Sequence, residues 1–365
     1  MSTDERLASL IDRLVERRQC FALYRLPWQE ELHLVLQREA CPTILHSVEE
    51  LSGRRGFVMA PFRTEEHCPL LLIRPDTVTD GVEDILRLPV DDLPMHPEIP
   101  SVTPRPDSRT RYEVSFDLFS KALCQGRLHK LVLSRSHVTD LPEAFSIGNT
   151  FIRACQRYPR VMIYVCHTPV SGLWMGCTPE ILLSVERGEG HTVSLAGTMP
   201  VADGIEPTEW NEKNRQEQAY VSDYIRSCLA SHGITATEEG PYTARAGEVV
   251  HLKTDFRFPL TDTHDLGRLV ADLHPTPAVC GLPKAEAYRF IHEHEALDRR
   301  YYAGFAGWTD PQGDTQLYVN LRCMEVTGGH KAVLYAGGGI LASSQADSEW
   351  EETIHKLETI QRLLR

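Results

Sequence analysis

Val161 to His167, Leu173 to Gly176, Ile181 to Val185 and Thr192 to Leu195 form four short apolar runs, the last two separated by a Gly188-Glu189-Gly190 turn. Links this short leave no room for a crossover helix, so the runs read as an antiparallel meander. A second such signal lies near the C-terminus, where Gln316 to Val326 reads as a hairpin with Ala332 to Ala336 across Gly328-Gly329. Around these strands the periodicity changes. Phe116, Phe119 and Leu123 repeat at helical spacing with Gly126 placed to cap them, and Lys130 to Val138 then alternates as a strand. Further helices read over Glu209 to Leu229, Lys284 to Ala296 and Asp347 to Leu364. Strand runs with short links, mixed with long helices, define an α+β class rather than a doubly wound sheet.

The composition narrows the function. With 365 residues, 42% hydrophobic and 24% charged, the chain can bury a large core, and fibre, disorder and membrane classes are excluded. A proline-rich passage from Leu93 to Pro106 reads as a connection between an N-terminal part, 1–106, and the remainder, 107–365. Met1 to Val15 reads as an amphipathic helix, not a secretion signal. Ten cysteines without a CxxC pair, mostly among apolar neighbours, read as reduced thiols in a cytoplasmic protein. The 38 basic residues against 51 acidic ones give a net charge of −13, with no basic run to track a phosphate backbone. Neither nucleic acid, nor a membrane, nor an obligate protein partner is expected. An anionic ligand would need cationic groups or a metal to reverse the field locally.

Several positions can carry chemistry. Glu349, Glu352 and Lys356 share one face of the last helix, and paired carboxylates suit a hard cation such as magnesium; a solvated face with an i,i+4 ion pair has the same spacing. Glu217 stands in register with Val221, Tyr224 and Cys228, so it points inward. A cation shared with Glu352 accounts for that, as does an ordinary salt bridge. Lys130 opens a strand whose alternate residues face a core, where desolvation makes a lysine a general base, although strand-end lysines are also commonly solvated. Glu180, after Thr178-Pro179, becomes an acid if buried and stays a plain carboxylate if its loop faces solvent. Gly337 to Gly339 end a strand in a run that admits close backbone approach but lacks a P-loop's lysine, and Arg322 offers a fork for a carboxylate or a surface ion pair. His292 and His294 do not make HExxH and are set aside as ligands.

Taken in order, Lys130-Leu131-Val132-Leu133-Ser134-Arg135, Gly176-Cys177-Thr178-Pro179-Glu180, Leu195-Ala196-Gly197-Thr198, Glu212-Lys213-Asn214-Arg215-Gln216-Glu217 and Leu273 to Gly281 resemble the chorismate-utilising enzymes. Tyr302-Ala303-Gly304, Arg322, Ala336 to Ile340 and Glu349-Trp350-Glu351-Glu352 continue the match, which covers about residues 110 to 365. That family comprises isochorismate synthases, salicylate synthases and the large chains of anthranilate and aminodeoxychorismate synthases. A lysine at position 130 resembles the water-activating members, and His274-Pro275-Thr276-Pro277-Ala278-Val279 resembles the isochorismate synthases. Gln218 stands where many relatives have histidine.

The resemblance implies two large, mostly antiparallel sheets packed as a sandwich with helices outside, the N-terminal hundred residues completing it. It implies an isomerase that moves a hydroxyl of chorismate from C4 to C2, feeding menaquinone or a catechol siderophore. In that reaction Lys130 deprotonates a water and protonated Glu180 donates to the departing hydroxyl. Magnesium is held by Glu217 and Glu352 with Glu349 behind them; Arg322, the Gly337 and Gly339 amides and Lys356 receive carboxylate oxygens, and His251 and Thr276 match pocket positions. A salicylate- or anthranilate-type enzyme, a chorismate binder without turnover, and an unrelated magnesium-dependent phosphate enzyme are the alternatives.

Overall fold

The structure is a computed structural model that describes residues 1–97, 108–201, 209–246, 249–260 and 265–365. Among these the strands form two nine-stranded sheets. The first runs Gly281–Leu282, Lys130–Asp140, Lys331–Ile340, Cys323–Thr327, Gly172–Thr178, Met162–Thr168, Cys20–Arg25, Leu32–Gln37 and Thr77–Asp80. The second runs Thr237–Ala246, Val249–Pro259, Glu189–Pro200, Ile181–Glu186, Thr315–Val319, Phe305–Thr309, Gly56–Ala60, Leu70–Ile73 and Thr43–Leu45. Neighbours are antiparallel in both sheets. The α+β sandwich expected from the sequence is therefore the fold.

Side-chain alternation explains the layering. Tyr164 and Cys166 enter the core between the sheets, where they meet Phe57, Leu183 and Phe256. Ile163 and Val165 face the other way, under Leu7, Ile11, Phe151, Leu357 and Ile360 of three helices. Met162–Thr168 is thus buried on both faces, and its unbroken apolar run follows from that. The helix Thr3–Glu16 is closed by a capping box between Ser2 and Glu5. Residues 1–97 contribute three strands to each sheet, so they do not form a separate layer. The proline-rich connection lies partly, and its boundary at 106/107 wholly, outside the described residues. Among the described residues no helix is long and apolar enough to cross a membrane.

Two expectations are corrected. The runs from Val161 to Leu195 are not one meander: Gly172–Thr178 lies in the first sheet and Ile181–Glu186 in the second. Likewise Gln316 to Val326 is no single strand, because Thr315–Val319 belongs to the second sheet and Cys323–Thr327 to the first. The chain crosses between sheets at 179–180 and again at 320–322. Pro179 has no amide to continue a ladder, and Arg322 adopts φ 48°, which ends an extended run. The crossings are bonded together: Val319 N donates to Glu180 O at 2.9 Å and Cys177 N to Arg322 O at 3.0 Å.

Candidate functional site

These crossings create the site. Pairing between Cys323–Thr327 and Lys331–Ile340 runs only to Met324 and Leu334, leaving Ala336 to Ile340 bonded on one side, to Leu131 through Arg135. The Gly337 carbonyl turns to the open side and accepts from Lys356 Nζ at 2.8 Å. Residues two apart in an antiparallel strand direct their backbone groups alike, so the Gly339 amide faces the same side. A cavity of about 50 Å³ lies there, lined by Glu180, Glu217, His251, Arg322, Lys356 and Tyr302 among others.

Glu180 is buried, and the burial raises its carboxyl to about 7 even though Thr276, Lys130, Lys356 and Arg322 oppose it. Thr276 Oγ1 donates to Glu180 Oε1 at 3.3 Å. Lys130, fully buried at the start of its strand, meets Glu217 Oε1 at 3.0 Å in an ion pair that lacks hydrogen-bond alignment. Burial alone would raise the Glu217 carboxyl, but Lys130, Lys213 and Lys356 together hold it below the usual carboxylate range. On the last helix, Ala346–Gln361, Glu352 Oε1 accepts from Lys356 at 2.6 Å and Glu349 Oε1 from Lys213 at 2.5 Å. Burial and the nearby charge of Glu352 raise Glu349, against Lys213 and a hydrogen bond from Ser344.

The glycines make room for these carboxylates. A Cβ on Gly339 would fall 2.0 Å from Glu217 Oε1, and one on Gly337 would fall 2.8 Å from Ser134 Oγ and 2.9 Å from Tyr302 Oη. A Cβ on Gly338 points to the helix side, 3.4 Å from Glu349 Oε2 and 3.5 Å from Glu352 Oε1. Across the cavity, burial lowers Arg322 to about 10. Burial, with Arg322 and Lys356 nearby, holds the His251 imidazolium well below its ordinary range.

All the side chains singled out in the sequence gather here. Glu180, Glu217, His251, Arg322, Gly337, Gly339 and Lys356 line the cavity; Lys130, Thr276 and Glu352 touch lining residues, and Glu349 stands further back, paired with Lys213 beside Gly338. Lys213 was missed as a participant, although it stands four residues before Glu217 on the same helical face. Tyr302 and Tyr335, stacked with centroids 5.6 Å apart in the wall, carried no sequence signal of a pocket role beyond the motif around Tyr302. Gln218 points elsewhere: its amide donates to Ser194, Ser222 and Thr254 and ties the helix Glu212–Ser231 to the second sheet.

Among the described residues no three acidic, histidine or cysteine side chains converge as a formed metal centre. Each carboxylate instead holds a lysine. The donor chemistry nevertheless fits a hard divalent cation, since Glu349 Oε2 and Glu352 Oε1 face one point over Gly338, at 3.4 and 3.5 Å from it.

The cleft where the chain crosses between two antiparallel sheets thus joins a carboxyl raised to about 7 with Lys356 and the Arg322 fork, and has Lys130 buried behind it. A family model described as "Chorismate binding enzyme" matches residues 87–365, and the chain belongs to that family. It is 30% identical over 264 residues to the salicylate biosynthesis isochorismate synthase of Pseudomonas aeruginosa, covering 70% of this chain and 55% of that protein. It is 34% identical over 202 residues to the vibriobactin-specific isochorismate synthase of Vibrio cholerae, covering 51% and 49%. The chain thus matches about half the length of these curated relatives. Its fold matches that of MenF, the menaquinone-specific isochorismate synthase of Escherichia coli, with a TM-score of 0.76 at 22% identity over 100% of this chain and 92% of that one.

Proposed function

We propose that the chain is an isochorismate synthase, an isomerase that adds water at C2 of chorismate with loss of the C4 hydroxyl. The observation that carries this reading is Glu180, a buried carboxyl raised to about 7 among Lys130, Lys356 and Arg322. A carboxyl so poised donates a proton to a leaving hydroxyl at neutral pH, where an ordinary glutamate has none to give. Lys130 accepts the proton of the attacking water. Its side-chain nitrogen, wholly buried, lies 3.0 Å from Glu217 Oε1. Proton uptake by Lys130 and release by Glu180 balance over one turnover.

Arg322 and Lys356, with the Gly337 and Gly339 backbone, receive the substrate carboxylates, which reconciles a dianionic ligand with a net charge of −13. His251 and Thr276 orient Arg322 and Glu180 through the contacts they make. Glu217 and Glu352 would hold magnesium, with Glu349 behind them. When bound, it neutralises the substrate's ring carboxylate. Ten free cysteines without a disulfide accord with a cytoplasmic enzyme, whose product supplies a menaquinone or siderophore route.

The test incubates purified protein with chorismate and magnesium and separates the products. Isochorismate is expected. Salicylate with pyruvate, or anthranilate with ammonia present, would reassign the enzyme within the family, and unchanged chorismate would leave only a binding protein.

A further inference from the structure

Three carboxylates and three ammonium groups meet at this site, one lysine to each glutamate: Lys130 with Glu217, Lys213 with Glu349 and Lys356 with Glu352. The three lysines are not equally free to move. Lys130 is wholly buried on a strand, and Lys356 also holds the Gly337 carbonyl at 2.8 Å. Lys213 has Glu349 as its hydrogen-bond partner, lies at the second position of its helix, and keeps 23% of its side chain exposed, against 0% for Lys130 and 15% for Lys356. It is therefore the most open of the three to water. Its charge also acts on Glu217 and Glu352, so it sits electrically among all three carboxylates. Glu349, its partner, is only 2% exposed, and its Oε2 faces the same point over Gly338 as Glu352 Oε1, at 3.4 and 3.5 Å.

A dication entering beside three ammonium groups is repelled by each of them, and the one free to move away relieves that repulsion most. We propose that Lys213 is a displaceable internal cation, which holds Glu349 in the cation-free protein and swings to solvent when a divalent ion enters among Glu217, Glu349 and Glu352. This rests on the cation-dependent reading of the site. Lys213 is a positioning residue: it keeps buried carboxylates from repelling one another before the cation arrives, and its displacement weakens cation binding.

The test measures magnesium binding by calorimetry on chorismate-free wild type, Lys213→Met and Lys213→Gln, each checked for folding by circular dichroism. Both variants should bind on the order of tenfold more tightly, and both should melt at lower temperature without magnesium and recover with it. Removing any nearby positive charge could tighten binding, so a second readout decides displacement. Limited acetylation followed by peptide mass spectrometry should show Lys213 several-fold more reactive in wild type with magnesium than without, and equally reactive in Glu349→Gln without magnesium. Unchanged reactivity on magnesium addition overturns the proposal, as does wild-type affinity in both variants. If wild type binds no magnesium even with chorismate present, the cation reading itself fails and takes this inference with it.

Discussion

Arg322 Nη2 lies 3.0 Å from Nε2 of His251, while the same imidazole turns Nδ1 to the Gly197 carbonyl at 2.9 Å. The carbonyl can only accept, so the ring proton sits on Nδ1 and Nε2 accepts from the guanidinium. One arm of Arg322 is thereby fixed, and Nη1 is left buried without a partner. A lysine cannot reproduce both arms. Arg322→Lys should weaken kcat/KM for chorismate by about 1 to 3 kcal/mol at unchanged net charge, whereas Arg365→Gln, at the exposed C-terminus, should be silent. Kinetics at two salt concentrations check this: a silent Arg322→Lys, or losses that track ionic strength alike, would remove Arg322 from the binding site.

Glu180 links activity to stability through pH. Its folded value of about 7 lies above the ordinary 4.5. The folded state therefore holds a proton that the unfolded chain releases, and the contribution is full below pH 4.5 and lost as pH rises toward 7. Above 7 the buried charge is a net cost. Glu180→Gln should raise the melting temperature at pH 8, by the equivalent of about 3 kcal/mol at most, and much less at pH 5. It should lower kcat by about 10² to 10⁴ and abolish the alkaline limb near pH 7 in kcat/KM. An alkaline limb that survives in the variant would assign the acid elsewhere.

The glycine run separates two sides of one strand. Gly339→Ala drives a methyl into Glu217 Oε1, at 2.0 Å, whereas Gly338→Ala meets Glu349 and Glu352 at 3.4 and 3.5 Å, near ordinary contact. The first should raise the magnesium needed for half-maximal activity by on the order of tenfold, and the second should change it little. Equal effects would show that the run serves backbone approach alone.

The last helix supplies an internal control for the cation. Glu352 faces the site through Lys356, while Glu351 is exposed and rotated about 100° away. Chelation with EDTA should abolish turnover and magnesium restore it; Glu352→Gln should raise the magnesium requirement well above that of Glu351→Gln. Matching requirements would sink the assignment of Glu352.

Lys130→Met should remove turnover while keeping the fold better than Lys130→Ala. The side chain is among the largest that are fully buried, and truncating it opens a cavity under Glu217. Thermal melts of both variants beside their kcat values check this; a turnover loss that followed only the loss of stability would argue against a role for the amine.

What the sequence by itself determined is local. The face shared by Glu349, Glu352 and Lys356 follows from helical period, the inward aim of Glu217 from its register with Val221 and Cys228, and the helix-and-strand mixture from changes between the two periods. The match of spaced motifs added which of these residues meet. Only the tertiary structure decided that the short links at Glu180 and Arg322 are crossings between sheets rather than hairpin turns. A short link permits either, and the choice falls to long-range pairing: Ile181 takes Tyr318, and Cys323 takes Gly176. The ionic partners were equally illegible. A buried charge must find a counter-charge in a medium that cannot solvate it, but which one it finds, Glu217 for Lys130 or Lys213 for Glu349, depends on what the packed sheets and helices bring within reach.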